Sequence, residues 1–131
     1  MDLLARRDHS EKELLEKLAD RFPREEILEA VQFARDNRWM PDEKDLSLRV
    51  ADSLHRRSKG IRSINQKLKE KGLPTVSGDP EVELEKALRL AQTKWSGEEP
   101  PDRATRERIG RFLLSRGFES GIVRKVIYEK L

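Results

Sequence analysis

The side chains in this chain that could do chemistry are 25 carboxylates and two histidines, and cysteine is absent. Without cysteine there are no disulfides and no thiolate metal sites, which fits a reducing cytosol. His9 and His55 fall in or beside predicted turns. No paired acidic motif accompanies either, so a metal or acid–base role is disfavoured. The sequence contains no Gly-rich phosphate loop, no nucleophile elbow and no H-E-x-x-H. The carboxylates recur on polar helix faces, where solvation is the ordinary explanation. The residues therefore point to no enzyme and to no cofactor. What remains is cationic: the stretch HRRSKGIRSINQKLKEKGLP, residues 55–74, holds seven basic residues and one acidic one.

Charge alternates along the 131 residues although the net charge is only +3. Residues 1–48 carry nine basic and thirteen acidic groups, residues 49–74 eight and two, residues 75–102 three and seven, and residues 103–131 eight and three. A protein that simply coats DNA is more often basic throughout, whereas a patterned charge suits a patterned partner. The candidate contact residues are Arg56, Arg57, Lys59, Arg62, Lys67, Lys69 and Lys71 in the first basic block. In the second they are Arg103, Arg106, Arg111, Arg116, Arg124 and Lys125. One acid among seven bases cannot neutralise the 55–74 strip by pairing along a helix. From composition alone, a solvated face and a cationic strip for phosphates or carboxylates both remain open. The strip lacks Phe, Tyr and Trp, which disfavours base stacking but leaves phosphate contact available.

The elements that must position these groups are helices. Ser10-Glu11-Lys12-Glu13 reads as a capping box ahead of Leu14, Leu15 and Leu18. Pro23 suits the first turn of a second helix, with Glu25 and Glu26 favoured by its dipole and Ile27, Ala30, Val31 and Ala34 as its stripe. Asp42 caps a third helix carrying Leu46, Val50 and Leu54. Gly60 breaks the pattern, and a helix from about Ile61 to Lys71 is closed by Gly72. Asp79-Pro80 opens a helix running to about Trp95, and Ser96-Gly97 and Pro100-Pro101 mark a loop. Helices over about 102–116 and 120–130 follow, parted by Gly117. Nothing alternates with period two long enough to form a sheet. Trp39, Trp95, Phe22, Phe33, Phe112 and Phe118 are expected in the core or between repeats.

An apolar share of 35% against 40% charged residues argues for a thin core rather than a thick one. Three pairs at i, i+4 recur: Leu14 and Leu18, Ile64 and Leu68, Ile109 and Leu113. Each is followed by a basic turn and a hydrophobe, DRF at 20–22, EKGL at 70–73 and SRGF at 115–118. Stacked helical units bury a continuous core in this way. Residues 23–34 also match 80–91 without a gap, though helices with similar caps look alike. No window approaches the ~18 apolar residues of a membrane span, and MDLLARRDHS lacks a signal-peptide core.

Three stretches give the chain its resemblance to the RecX family of recombination regulators. They are LLARRDHSEKELLEKL at 3–18, WMPDEKDLSLRVADSLHRRSKGIRSINQKLKEKGL at 39–73, and RIGRFLLSRGF at 108–118. Trp39, Asp42, Gly60, Lys67, Leu68, Lys71 and Gly72 fall on the family's places in the middle stretch. The resemblance implies an all-α fold of tandem three-helix repeats in an elongated, curved, solenoid-like array. It implies binding to the RecA–DNA filament and suppression of ATP hydrolysis and strand exchange. A monomer is expected, with the basic blocks meeting acidic protein surface or DNA phosphate. The repeats are expected over 1–41, 42–79 and 80–131. The leading helix of the first is expected to be short or lost, and LPTVSGDPEV at 73–82 leaves the second without its closing helix. The alternative is that 80–95 closes the second repeat; its likeness to the family's third-repeat opening helix favours the first reading.

Overall fold

The computed structural model describes residues 9–97 and 99–131; the expectation that the leading helix is short or lost falls on residues outside them. Among the described residues seven α-helices follow in order: α1 Glu11–Leu18, α2 Arg24–Asp36, α3 Glu43–Arg56, α4 Ile61–Glu70, α5 Pro80–Lys94, α6 Arg103–Ser115 and α7 Ser120–Lys125. The last continues as a wider π-helical turn, Val126–Lys130, where the Leu131 N–H donates to the Val126 carbonyl. No strand forms among the described residues.

The helix starts follow the capping chemistry of the sequence. Ser10 Oγ accepts from the Glu13 N–H at 3.1 Å while the Ser10 N–H donates to Glu13 Oε1 at 3.3 Å, the reciprocal box. Asp79 accepts from Glu81 and Asp102 from Thr105 at the starts of α5 and α6. Pro23 stands just before α2 rather than in its first turn.

The helix ends share a second device. In four places a residue in the left-handed region turns the chain so that the next N–H reaches back five residues: Trp39 to Ala34, Lys59 to Leu54, Leu73 to Leu68, Phe118 to Leu113. The left-handed residues are Arg38, Ser58, Gly72 and Gly117. After the two glycines the reversal folds Leu73 and Phe118 into the core. The turn after α1 has no glycine and lacks this closure. Phe22 N–H bonds the Leu18 carbonyl four residues back, and its ring stays half exposed. The repeat pattern is thus physically equivalent in two of its three occurrences.

The chain forms two compact units. One comprises residues 1–50 and 67–75, the other 51–66 and 76–131, so that α3 and α4 each contribute to both. In the first unit Leu14, Ile27, Val31, Ala34 and Met40 form a small core. Lys71 is tied to it by an ion pair with Glu13 at 3.4 Å and by its carbonyl, which accepts from Ser10 Oγ at 2.6 Å. In the second unit Ala87, Ala91, Ile109, Leu113, Phe118, Val123, Val126 and Ile127 form a larger core, with Trp95 and Phe112 packed against it. Trp95, Phe112 and Phe118 meet expectation. Phe22, Phe33 and Trp39 do not; all three are solvent-exposed.

Between α4 and α5 the residues form no helix. The chain crosses instead as an extended strap. Asn65 clamps it with both ends of its amide, accepting from the Val76 N–H at 2.8 Å and donating to the Val76 carbonyl at 3.0 Å. Backbone polar groups that a helix would have paired internally are met here by a side chain.

Candidate partner-binding surface

The second unit brings together parts of the two basic blocks that lie far apart in sequence. The turn after α3 and the turn after α6 are bonded backbone to backbone: the Gly60 N–H donates to the Arg116 carbonyl at 2.9 Å and the Arg62 N–H to the Gly117 carbonyl at 3.0 Å. The approach needs two glycines. A Cβ on Gly60 would stand 2.3 Å from the Gly117 carbonyl, and one on Gly117, at φ +94°, would stand 2.3 Å from Ser63 Cβ. Arg116 adds a third link, donating from Nη2 to the Arg57 carbonyl at 2.8 Å. Arg57, Lys59, Arg62 and Arg116 are thereby gathered on one rigid junction. Among the described residues, no ion pair neutralises Arg57, Lys59 or Arg62.

The remaining candidates are more scattered. Arg56 pairs with Asp52 on its own helix, Lys67 with Glu70 at 3.8 Å, and Arg103 with Glu107 at 3.2 Å. Pairing along the helix is therefore more extensive than a count of acids within 55–74 implied, because Asp52 lies one turn outside that window. Lys67, Lys69 and Lys71 belong to the first unit. Arg106 lies 5.8 Å from the Tyr128 ring centre, and Arg111, Arg124 and Lys125 are exposed on α6 and α7.

Beneath the junction sits a cluster that the charge pattern concealed. Glu83 and Lys86 of α5 are only 3% and 5% exposed, contrary to the expectation that the carboxylates would all be solvated. Glu83 Oε1 accepts from the Ile61 N–H at 2.5 Å, capping α4 from another helix. Its Oε2 lies 2.6 Å from Lys86 Nζ. The ammonium also meets the Lys59 carbonyl and His55 Nδ1, each at 2.7 Å. Two of its three protons thus find hydrogen-bond acceptors, while the Glu83 contact is an ion pair whose Oε2 accepts no hydrogen bond among the described residues. The signal was present in helical phase: Glu83, Ala87 and Ala91 fall at i, i+4, i+8 on the face that packs.

His55 accepts from the Lys86 ammonium, so its Nδ1 must be unprotonated. Burial, then the Lys86 charge, pull its pKa below the ordinary 6.5, with Glu83 and Asp52 opposing. The unfolded chain therefore binds the proton first as pH falls. His55 contributes stability that is fully present above pH 6.5 and is lost as pH drops toward the folded-state pKa. In urea titrations the parent should lose stability more steeply than His55→Gln below pH 6.5; parallel pH profiles would exclude this linkage. The other histidine, His9, is buried and 3.2 Å from Lys17 Nζ.

Among the described residues, no three His, Asp or Glu side chains converge as a metal site requires, and no helix is long and apolar enough to cross a membrane. The fold and surface define a class: an all-α protein of small helical units that presents a rigidly mounted cationic junction. Residues 81–127 match the third three-helix domain of RecX, and residues 1–33 match its first. Regulatory protein RecX of Leptothrix cholodnii is 36% identical over 132 residues, covering 95% of this chain and 82% of the relative. That of Acinetobacter baylyi is 31% identical over 131 residues, covering 96% and 82%. The crystal structure of RecX from Lactobacillus salivarius superposes with a TM-score of 0.83 at 20% identity, over 98% of this chain and 89% of that one. A second crystal structure of a regulatory protein RecX gives 0.72 at 22%, over 95% and 66%. The chain belongs to the RecX family of regulatory proteins.

Proposed function

We propose that this protein is a negative regulator of a RecA-type recombinase, binding the recombinase–DNA filament and inhibiting its ATP hydrolysis and strand exchange. The observation that carries the reading is the junction at Gly60 and Gly117, where cations from two sequence-distant blocks are mounted on a backbone lock without neutralising partners. Such a surface meets acidic protein groups or DNA phosphates and adds on-rate and salt-dependent affinity. The protein acts in the cytoplasm as a monomer, by binding and without chemistry of its own, in recombination, DNA repair and the SOS response. Residues 1–41, 42–79 and 80–131 serve as its three repeats, the second closed by the Asn65-clamped strap instead of a helix.

The decisive measurement is ATP hydrolysis by a RecA–single-stranded-DNA filament as this protein is added. Hydrolysis should fall with dose, and inhibition should weaken as salt rises. Undiminished hydrolysis at saturating protein would refute the proposal. A gel shift of bare DNA as strong as that of the filament would favour a general nucleic-acid-binding module instead.

A further inference from the structure

The first unit carries an aromatic pair that its own core does not use. Phe33 and Trp39 are 58% and 60% exposed and meet edge-on, with ring centres 5.3 Å apart at 78°. They are held firmly. The Trp39 N–H bonds the Ala34 carbonyl at 2.7 Å, Asn37 Nδ2 bonds the Phe33 carbonyl at 2.8 Å, and Arg38 adopts a φ of +58°. Met40, the next residue, is buried and anchors the turn. A left-handed arginine costs backbone energy, and here it fixes an indole in water. Aromatics immobilised before binding lose little entropy when a partner arrives, which is how a few residues come to dominate an interface.

The charge around the pair selects the occupant. Glu29 and Asp36 flank Phe33 one helical turn away on either side and are exposed. Beside Arg38 and Met40 lies a cleft of about 670 Å³ lined also by Glu11, Asp42, Glu43 and Asp45. Arg35 bridges Glu11 and Glu43, at 3.4 and 3.2 Å, and Asp42 accepts from the Lys44 N–H. The acidic excess of residues 1–48 disfavours nucleic acid at this place. A cation brought over an indole face is attracted by the ring as well as by the carboxylates.

We propose that Phe33 and Trp39 form the docking point for a cationic segment of the protein partner, one arginine or lysine of which stacks on Trp39. Resting on the functional reading above, this assigns the first unit to the filament's protein and leaves the cationic junction for acidic or phosphate groups.

The chain has two tryptophans, so Trp95→Phe leaves Trp39 as the sole indole reporter. On titration with preformed recombinase–single-stranded-DNA filament, Trp39 emission should change, saturating where ATPase inhibition saturates. Phe33→Ala/Trp39→Ala should raise the half-inhibitory concentration about tenfold or more with unchanged melting, since a central aromatic anchor contributes on that scale. A parent that inhibits, with silent Trp39 emission and an undiminished double variant, would overturn the docking site while leaving the function intact. Emission that responds to bare single-stranded DNA, or to the protein's own concentration, would overturn it in favour of nucleic acid or a second copy. If Trp39 responds to filament but hydrolysis does not fall, the docking site stands and the inhibitory function fails. Silence in both sinks both.

Discussion

Replacing Glu83 with alanine is expected to destabilise the second unit by about 3–5 kcal/mol, the usual cost of removing one partner from a buried ion pair. The size follows from what stays behind. Lys86 would remain buried with a charge and no counterion, beside His55, the Lys59 carbonyl and the Phe118 ring. The Ile61 N–H would lose its acceptor at the start of α4. Because small domains have total stabilities of only about 5–15 kcal/mol, such a loss should be plain in a urea titration. Glu83→Ala/Lys86→Met separates the two terms. Removing the stranded charge should recover much of the loss, leaving about 1–3 kcal/mol for the orphaned Ile61 N–H. Parent-like unfolding of Glu83→Ala would mean that the ion pair is absent in solution.

This pair also shows what the sequence could and could not reveal. Helix positions were legible because each boundary carries its own local chemistry: the Ser10–Glu13 box, Asp79 and Asp102 as caps, and Gly72 and Gly117 as left-handed stops. Core lines at 14, 64, 68, 109 and 113 were legible from spacing. The burial of Glu83 was not, because charge suggests solvent unless phase is weighed against it. Phase places Glu83 in line with two alanines, small residues that admit a neighbouring backbone. The same neglect of phase put Phe33 in the core. It lies about a third of a turn from the Ile27–Val31–Ala34 line, at 3.6 residues per turn, and the structure leaves it outside. Phe22 was misplaced because its turn looks like EKGL and SRGF in sequence but lacks their glycine.

The junction itself was invisible to sequence for a different reason. Its two halves are over fifty residues apart, and they meet through backbone atoms that every residue possesses. Only the absence of a Cβ at Gly60 and Gly117 marks them, and isolated glycines read first as helix breakers. The basic character of each block was legible. Their convergence needed the 2.9 and 3.0 Å bonds between the two turns.

That convergence makes charge reversal at the junction the sharpest test of function. Arg57→Glu/Lys59→Glu/Arg62→Glu should abolish most inhibition of the filament while leaving helicity and melting close to the parent's. Among the described residues none of the three side chains has an ion-pair partner to lose; Arg57 and Arg62 are exposed and Lys59 is half-buried, and unpaired surface charges contribute about 0–1 kcal/mol each to stability. The structural bonds in this region are made by the backbones of Arg57, Lys59 and Arg62, which the substitutions keep. Arg21→Glu/Arg24→Glu/Lys44→Glu provides a control with the same change in net charge, placed on exposed cations of the first unit. If net charge alone steered binding, both triple variants should lose inhibition alike. If the junction is the contact, only the first should. Where DNA phosphate is the target, each lost contact should also lower the log–log salt slope of binding by about one unit. Where acidic recombinase surface is the target, bare DNA affinity should be weak in the parent already and filament affinity alone should fall. A folded junction variant that inhibits as well as the parent at low salt would reduce these cations to a solvated face.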